Sequence, residues 1–148
     1  TIGILATKGT LSSELFNKAV EIYQDTKIVE QVGYGLVELI ENGEINSPEM
    51  TKLLLSYLQP MIDENIDYLV LGCSHYPYLI PQIKKIIPQH IQIIDSGEAV
   101  ARQTHKILIE KVGLHSKGVG KASFYTNTNP KVLSDILKNK YQVIQKEF

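Results

Sequence analysis

Short apolar runs alternate with stretches of helical spacing along nearly the whole chain. Residues 2–6, 68–71 and 91–94 are predominantly apolar, and 27–32 are rich in β-branched residues; these four segments read as strands. Between them Leu15, Phe16, Ala19, Val20 and Tyr23 keep helical spacing over 12–23. Met50, Leu54, Tyr57, Leu58 and Met61 do so in a helix that Ser47-Pro48-Glu49 opens with a capping hydroxyl, a first-turn proline and an acid. Pro60 is expected to kink or shorten that helix. Shorter helices are expected over 36–40 and 79–87, and a further one from Asp95 to about 112, where Asp95 and Glu98 have capping-box spacing. Residues 113–120 read as a polar connector, 123–126 as a strand, 129–139 as a helix and 141–144 as a last strand. Strands joined through helices pair in parallel, so the expected fold is α/β: a parallel sheet flanked by helices, followed by a C-terminal βαβ-like segment.

That topology has a chemical consequence. The loops 7–10, 33–35, 73–77 and 95–97 all follow strands and gather at the carboxyl edge of the sheet, where open α/β sheets bind ligands. The small hydroxyls, the thiol and an imidazole fall in these loops.

Composition narrows the function. In 148 residues the net charge is −1 and the lysines are scattered, which leaves no field for nucleic acid or an anionic membrane. No apolar run reaches the roughly 18 residues of a membrane span. The one cysteine cannot make an internal disulfide, which fits a reducing, cytoplasmic setting. The chain starts Thr1-Ile2-Gly3 and enters a strand at once, which reads as a domain taken from something longer.

Cys73 follows the strand in Leu71-Gly72-Cys73-Ser74-His75-Tyr76-Pro77. It is either a small buried apolar residue or a thiol facing the crevice, where a following helix N-terminus favours thiolate. His75 is placed to exchange a proton with it or to cap a backbone carbonyl. One Cys and one His are too few for a metal site. A nucleophilic hydrolase would need an orienting Asn or Asp as well, whereas an acid–base thiol acting on a carbon-bound proton needs only placement. Thr7 and Thr10 suit a carboxylate or serve as caps. There is no phosphate-loop pattern and no G-x-G-x-x-G. Asp95-Ser96-Gly97 reads as a cap, Glu38 by itself as a solvated charge, and His90, His105 and His115 carry no assignment.

The Leu71–Pro77 motif closely resembles the second cysteine motif of bacterial glutamate racemases, usually L-G-C-T-H-Y-P. Ile4-Leu5-Ala6-Thr7-Lys8-Gly9-Thr10, Leu36-Val37-Glu38, Ile94-Asp95-Ser96-Gly97 and Phe124-Tyr125-Thr126 follow in the family's order, so the resemblance covers nearly the whole chain. It implies cofactor-independent, two-base interconversion of L- and D-glutamate for peptidoglycan, with one cysteine on each face of the α-carbon. Cys73 would be the base for the L-enantiomer, with His75 its proton partner and Glu38 tuning the histidine. Thr7, Thr10 and Ser74, the last in place of the family's threonine, would bind substrate.

The family's opening Asp-Ser-Gly loop and its other cysteine, in an A-C-N-T-A setting, have no match here. The expectation is therefore a C-terminal portion of a racemase. Residues 1–93 would be its second domain, and 94–148 a segment that in the family packs on the first. Such a chain holds half a site, is inactive alone and has an uncovered interface that invites homodimers. The competing readings are a small-carboxylate binding module and a different Cys/His-dependent enzyme.

Overall fold

The computed structural model describes residues 1–113 and 120–148; the rest of the expected connector, His115 included, lies outside the described residues. Two compact units are present, Thr1–Ala101 and Arg102–Phe148.

The first unit is built on four parallel strands, β1 (Ile2–Ala6), β2 (Ile28–Val32), β3 (Tyr68–Gly72) and β4 (Gln92–Ile94), in the order β2-β1-β3-β4. Ile2 pairs with Ile28 on one side and Tyr68 on the other, and Ala6 with Val32 and Gly72. Side chains alternate across a pleated strand. One face therefore carries Leu5, Leu69 and Leu71, all in the buried core. The other carries Ile2, Ile4, Ile28 and Val70, which line a cavity with Phe16, Ala19 and Val20.

The helices of this unit divide between the two faces. α1 (Lys8–Leu11) and α2 (Glu14–Ile22) follow β1. α3 (Leu36–Glu41) and α4 (Pro48–Asp63) link β2 to β3, and α5 (Ile80–Ile86) leads to β4. Leu36, Ile40, Leu54, Leu58 and Ile83 from the last three join Leu5, Leu69 and Leu71 in one core. Burying each such leucine or isoleucine contributes about 1.5–3 kcal/mol. Residues 68–71 are apolar in sequence as a central parallel strand should be. β3 is interior, but Tyr68 is exposed and Val70 only half-buried, on the face whose cavity is lined by α2 residues.

Local chemistry explains the helix starts. The Ser47 hydroxyl accepts the Met50 N–H at 3.0 Å, with Pro48 in the first turn and Glu49 beside it. Replacing Ser47 by Ala is expected to lower stability by about 1 kcal/mol in urea unfolding, the usual loss for an N-cap hydroxyl. Pro60 does not shorten α4, which runs on to Asp63. It sits on the exposed side in the last turn, where its missing N–H leaves only the Ser56 carbonyl to water. Residues 7–10, expected as a loop, form a helical turn capped by Thr7, and Ser13 then caps α2 through the Phe16 N–H at 3.2 Å.

α6 (Gly97–Ile107) begins after Asp95, whose carboxylate accepts the Gly97 N–H at 2.8 Å. A π-helical turn, Leu108–Val112, extends it to the expected end. The second unit pairs β5 (Phe124–Thr126) in parallel with β6 (Val143–Gln145) through α7 (Pro130–Ile136), which is a βαβ segment. The Asn129 side chain caps α7, and Phe124 packs on Tyr141 with ring centroids 4.8 Å apart.

Candidate active site

Strand order decides where a crevice opens. The connection from β1 leads to one neighbour, β2, and α2 lies on one face. The connection from β3 leads away to β4, and α5 lies on the other. The loops after β1 and β3 therefore diverge, which makes the carboxyl ends of these adjacent strands a topological switch point. Thr7 and Thr10 follow β1 there, and Cys73 follows β3.

The two strand ends are tied by hydroxyls. Thr10 Oγ1 donates to the Gly72 carbonyl at 3.1 Å. The two threonine hydroxyl oxygens are 3.0 Å apart, and Thr7 Oγ1 accepts the Thr10 N–H at 3.3 Å. A hydroxyl has one proton. With Thr10's proton on Gly72, Thr7 donates to Thr10. Thr10 is thus a strut beneath the residue that precedes Cys73, while the Thr7 hydroxyl is bonded only within its own turn.

Cys73 is half-buried, with Sγ 3.9 Å from His75 Nδ1. On the far side of the ring, His75 Nε2 meets Glu41 Oε1 at 2.8 Å. In the tautomer that donates from Nε2 to the carboxylate, the other ring nitrogen, Nδ1, presents its lone pair to the sulfur. The arrangement is a line from thiol to imidazole to carboxylate. It gives the thiol a place to leave its proton and gives the resulting imidazolium a counter-charge. Ser74 is exposed at the crest of the same loop.

Glu38 was expected to tune the histidine side of the site. Glu38 is exposed, and its charge bears on the Tyr76 phenol. Glu41, the last residue of α3, is the acid that reaches the imidazole. The two acids stand three apart on one short helix, and their types and spacing do not rank them. Only the position of the His75 loop at the end of α3 does so. The site's other unforeseen member is Tyr76, wholly buried, whose hydroxyl donates to the Gly33 carbonyl at 3.1 Å.

Fold and site thus define a parallel α/β protein with a thiol, an imidazole and a carboxylate in line at a topological switch point. A family model described as Asp/Glu/hydantoin racemase matches residues 1–104, and the chain belongs to that family. Glutamate racemases are among its relatives. That of Ralstonia pickettii is 44% identical over 128 residues, 86% of this chain and 45% of that protein. One from Pseudomonas putida is 41% identical over 137 residues, 92% of this chain and 52% of that protein. A glutamate racemase structure from Bacillus anthracis superposes with a TM-score of 0.78 at 30% identity, covering 98% of this chain and 56% of that one. One from Francisella tularensis, in complex with D-glutamate, gives 0.77 at 24% identity with the same coverage and shows the fold alone. The chain spans about half the length of the curated relatives it matches.

Proposed function

We propose that this chain supplies one wall of a glutamate racemase site, with Cys73 as the thiol that moves the α-proton. The observation that carries this reading is the Cys73–His75–Glu41 line at the β1/β3 crevice. Racemisation breaks one C–H bond and remakes it on the opposite face. Cys73, as thiolate, takes the α-proton of the L-enantiomer, and the bond's electron pair passes onto the α-carbon and its carboxylate. A second base on the other face returns a proton. In reverse, Cys73 returns the proton it holds. His75 accepts the thiol proton through Nδ1, and Glu41, taking the part expected of Glu38, holds the ring's tautomer and stabilises its charged form.

The carboxylate charge that grows as the proton leaves needs fixed donors. The Thr7 hydroxyl, once turned from Thr10, and the Ser74 hydroxyl supply them, while Thr10 keeps its bond to Gly72 and holds the loop in place. The chemistry asks nothing of a cofactor. D-glutamate made this way serves peptidoglycan synthesis, which is a cytoplasmic task.

The test is the rate at which iodoacetamide alkylates Cys73 at neutral pH. It is expected to exceed that of a peptide thiol, to fall as glutamate is added, and to drop about tenfold in Glu41→Gln, the equivalent of one charge-assisted hydrogen bond. The amide can donate as well as accept, so it no longer fixes the tautomer. A peptide-like rate, indifferent to both glutamate and Glu41→Gln, overturns the reading.

A further inference from the structure

The His75–Glu41 bond joins pieces of chain 34 residues apart. Glu41 ends a helix of only six residues, too short to hold its own place. The start of that helix has no side-chain cap. Its N-cap is Gly35, with φ at +76°, in the turn 33–35. The turn is held from outside. Gly33 donates its N–H to the Ala6 carbonyl at 2.9 Å and accepts the Tyr76 hydroxyl on its own carbonyl at 3.1 Å. Tyr57 donates to the neighbouring Tyr34 carbonyl at 2.9 Å.

Adjacent residues of one loop therefore grip both ends of α3: Tyr76 at its root and His75 at its tip. The fit at the root is close. A Cβ on Gly33 would run into the Tyr76 hydroxyl and Leu36. Burial drives the Tyr76 phenol well above the usual tyrosine range, with Cys73, Tyr57 and Glu38 adding to the rise, so it remains a neutral donor wherever the site works.

We propose that Tyr76 is a positioning residue for the proton-transfer line: through the Gly33 carbonyl its hydroxyl sets where α3 begins, and thereby where Glu41 meets His75. This rests on the reading of Cys73, His75 and Glu41 given above. Without the hydroxyl the ring still fills the core, but the root of α3 loses its tie and Glu41 drifts from Nε2.

Two readouts on the full chain test this: the Cys73 alkylation rate at neutral pH, and the downfield NMR resonance of the His75 Nε2 proton held by Glu41. Tyr76→Phe is expected to lower the rate about fivefold, the equivalent of one neutral hydrogen bond, and to broaden or abolish the resonance. Gly33→Ala, which displaces the same hydroxyl, is expected to do likewise and serves as a second variant should Tyr76→Phe not fold. Ile66→Val, a buried change beside Gly3 at the opposite end of the sheet, controls for general loss of stability and should move neither readout. If Glu41→Gln lowers the rate but Tyr76→Phe and Gly33→Ala behave as wild type, the role of Tyr76 is overturned and the line stands. A change of equal size in Ile66→Val also overturns it. If Glu41→Gln has no effect, the line itself fails.

Discussion

Purified chain incubated with L- or D-glutamate is expected to leave the circular-dichroism signal of either enantiomer unchanged over hours. Racemisation needs a proton taken from one face of the α-carbon and another delivered to the opposite face. The sequence holds one cysteine, and under the function proposed above Cys73 serves one face. Losing a positioned acid or base lowers a rate by about 10²–10⁴-fold. Under that proposal the second base and the water-excluding wall that carries it are not supplied by these residues, so the deficit lies at the upper end or beyond. Turnover of either enantiomer that disappears in Cys73→Ala would overturn this and would mean that one thiol with His75 and Glu41 suffices. A carboxylate-binding module also fails to racemise, but its Cys73 would not share the dependence of alkylation on Glu41.

Gly72→Ala is expected to destabilise the first unit by about 1–3 kcal/mol, the range for overpacking a tight core. The added Cβ would lie 2.7 Å from the Ala6 Cβ, on the strand paired with Gly72. Neither atom has a rotamer to escape into, so relief must come from parting β1 and β3. That movement would stretch the Thr10–Gly72 bond and displace Cys73, which leaves the sheet at this point. The urea midpoint should therefore fall by about 0.5–1.5 M, at a typical dependence of about 2 kcal/mol/M. Cys73 alkylation should change with it. Gly9→Ala is the control, since a Cβ there meets nothing within 4 Å. In a helical turn that substitution is neutral or mildly stabilising. Equal midpoints for the two variants would show that the β1–β3 pairing tolerates the extra methyl.

Much of the architecture is legible along the chain because it is periodic or locally capped. The alternation of β-branched runs and helical spacing places every strand of the sheet, and Ser47-Pro48-Glu49 marks the start of α4 within a residue. Where local reading fails, context has overruled it. Pro60 is harmless in a last turn facing water. The Lys8–Leu11 turn forms because the Thr7 and Thr10 hydroxyls tie it to itself and to the end of β3, a partner 62 residues further on.

The residues by themselves determined the parallel α/β class and placed the thiol and the imidazole together in a loop at the carboxyl edge of the sheet. All of these follow from order, spacing and residue type within short windows. Only the tertiary structure decided that Glu41 rather than Glu38 meets the imidazole, that Thr10 ties its loop to the end of β3 while Thr7 bonds only within its own turn, and that Tyr76 grips the root of the helix that His75 grips at its tip. Each of these depends on which of several equivalent polar groups comes within about 3 Å of another after distant segments pack, and a hydrogen bond at that range has no periodicity to read.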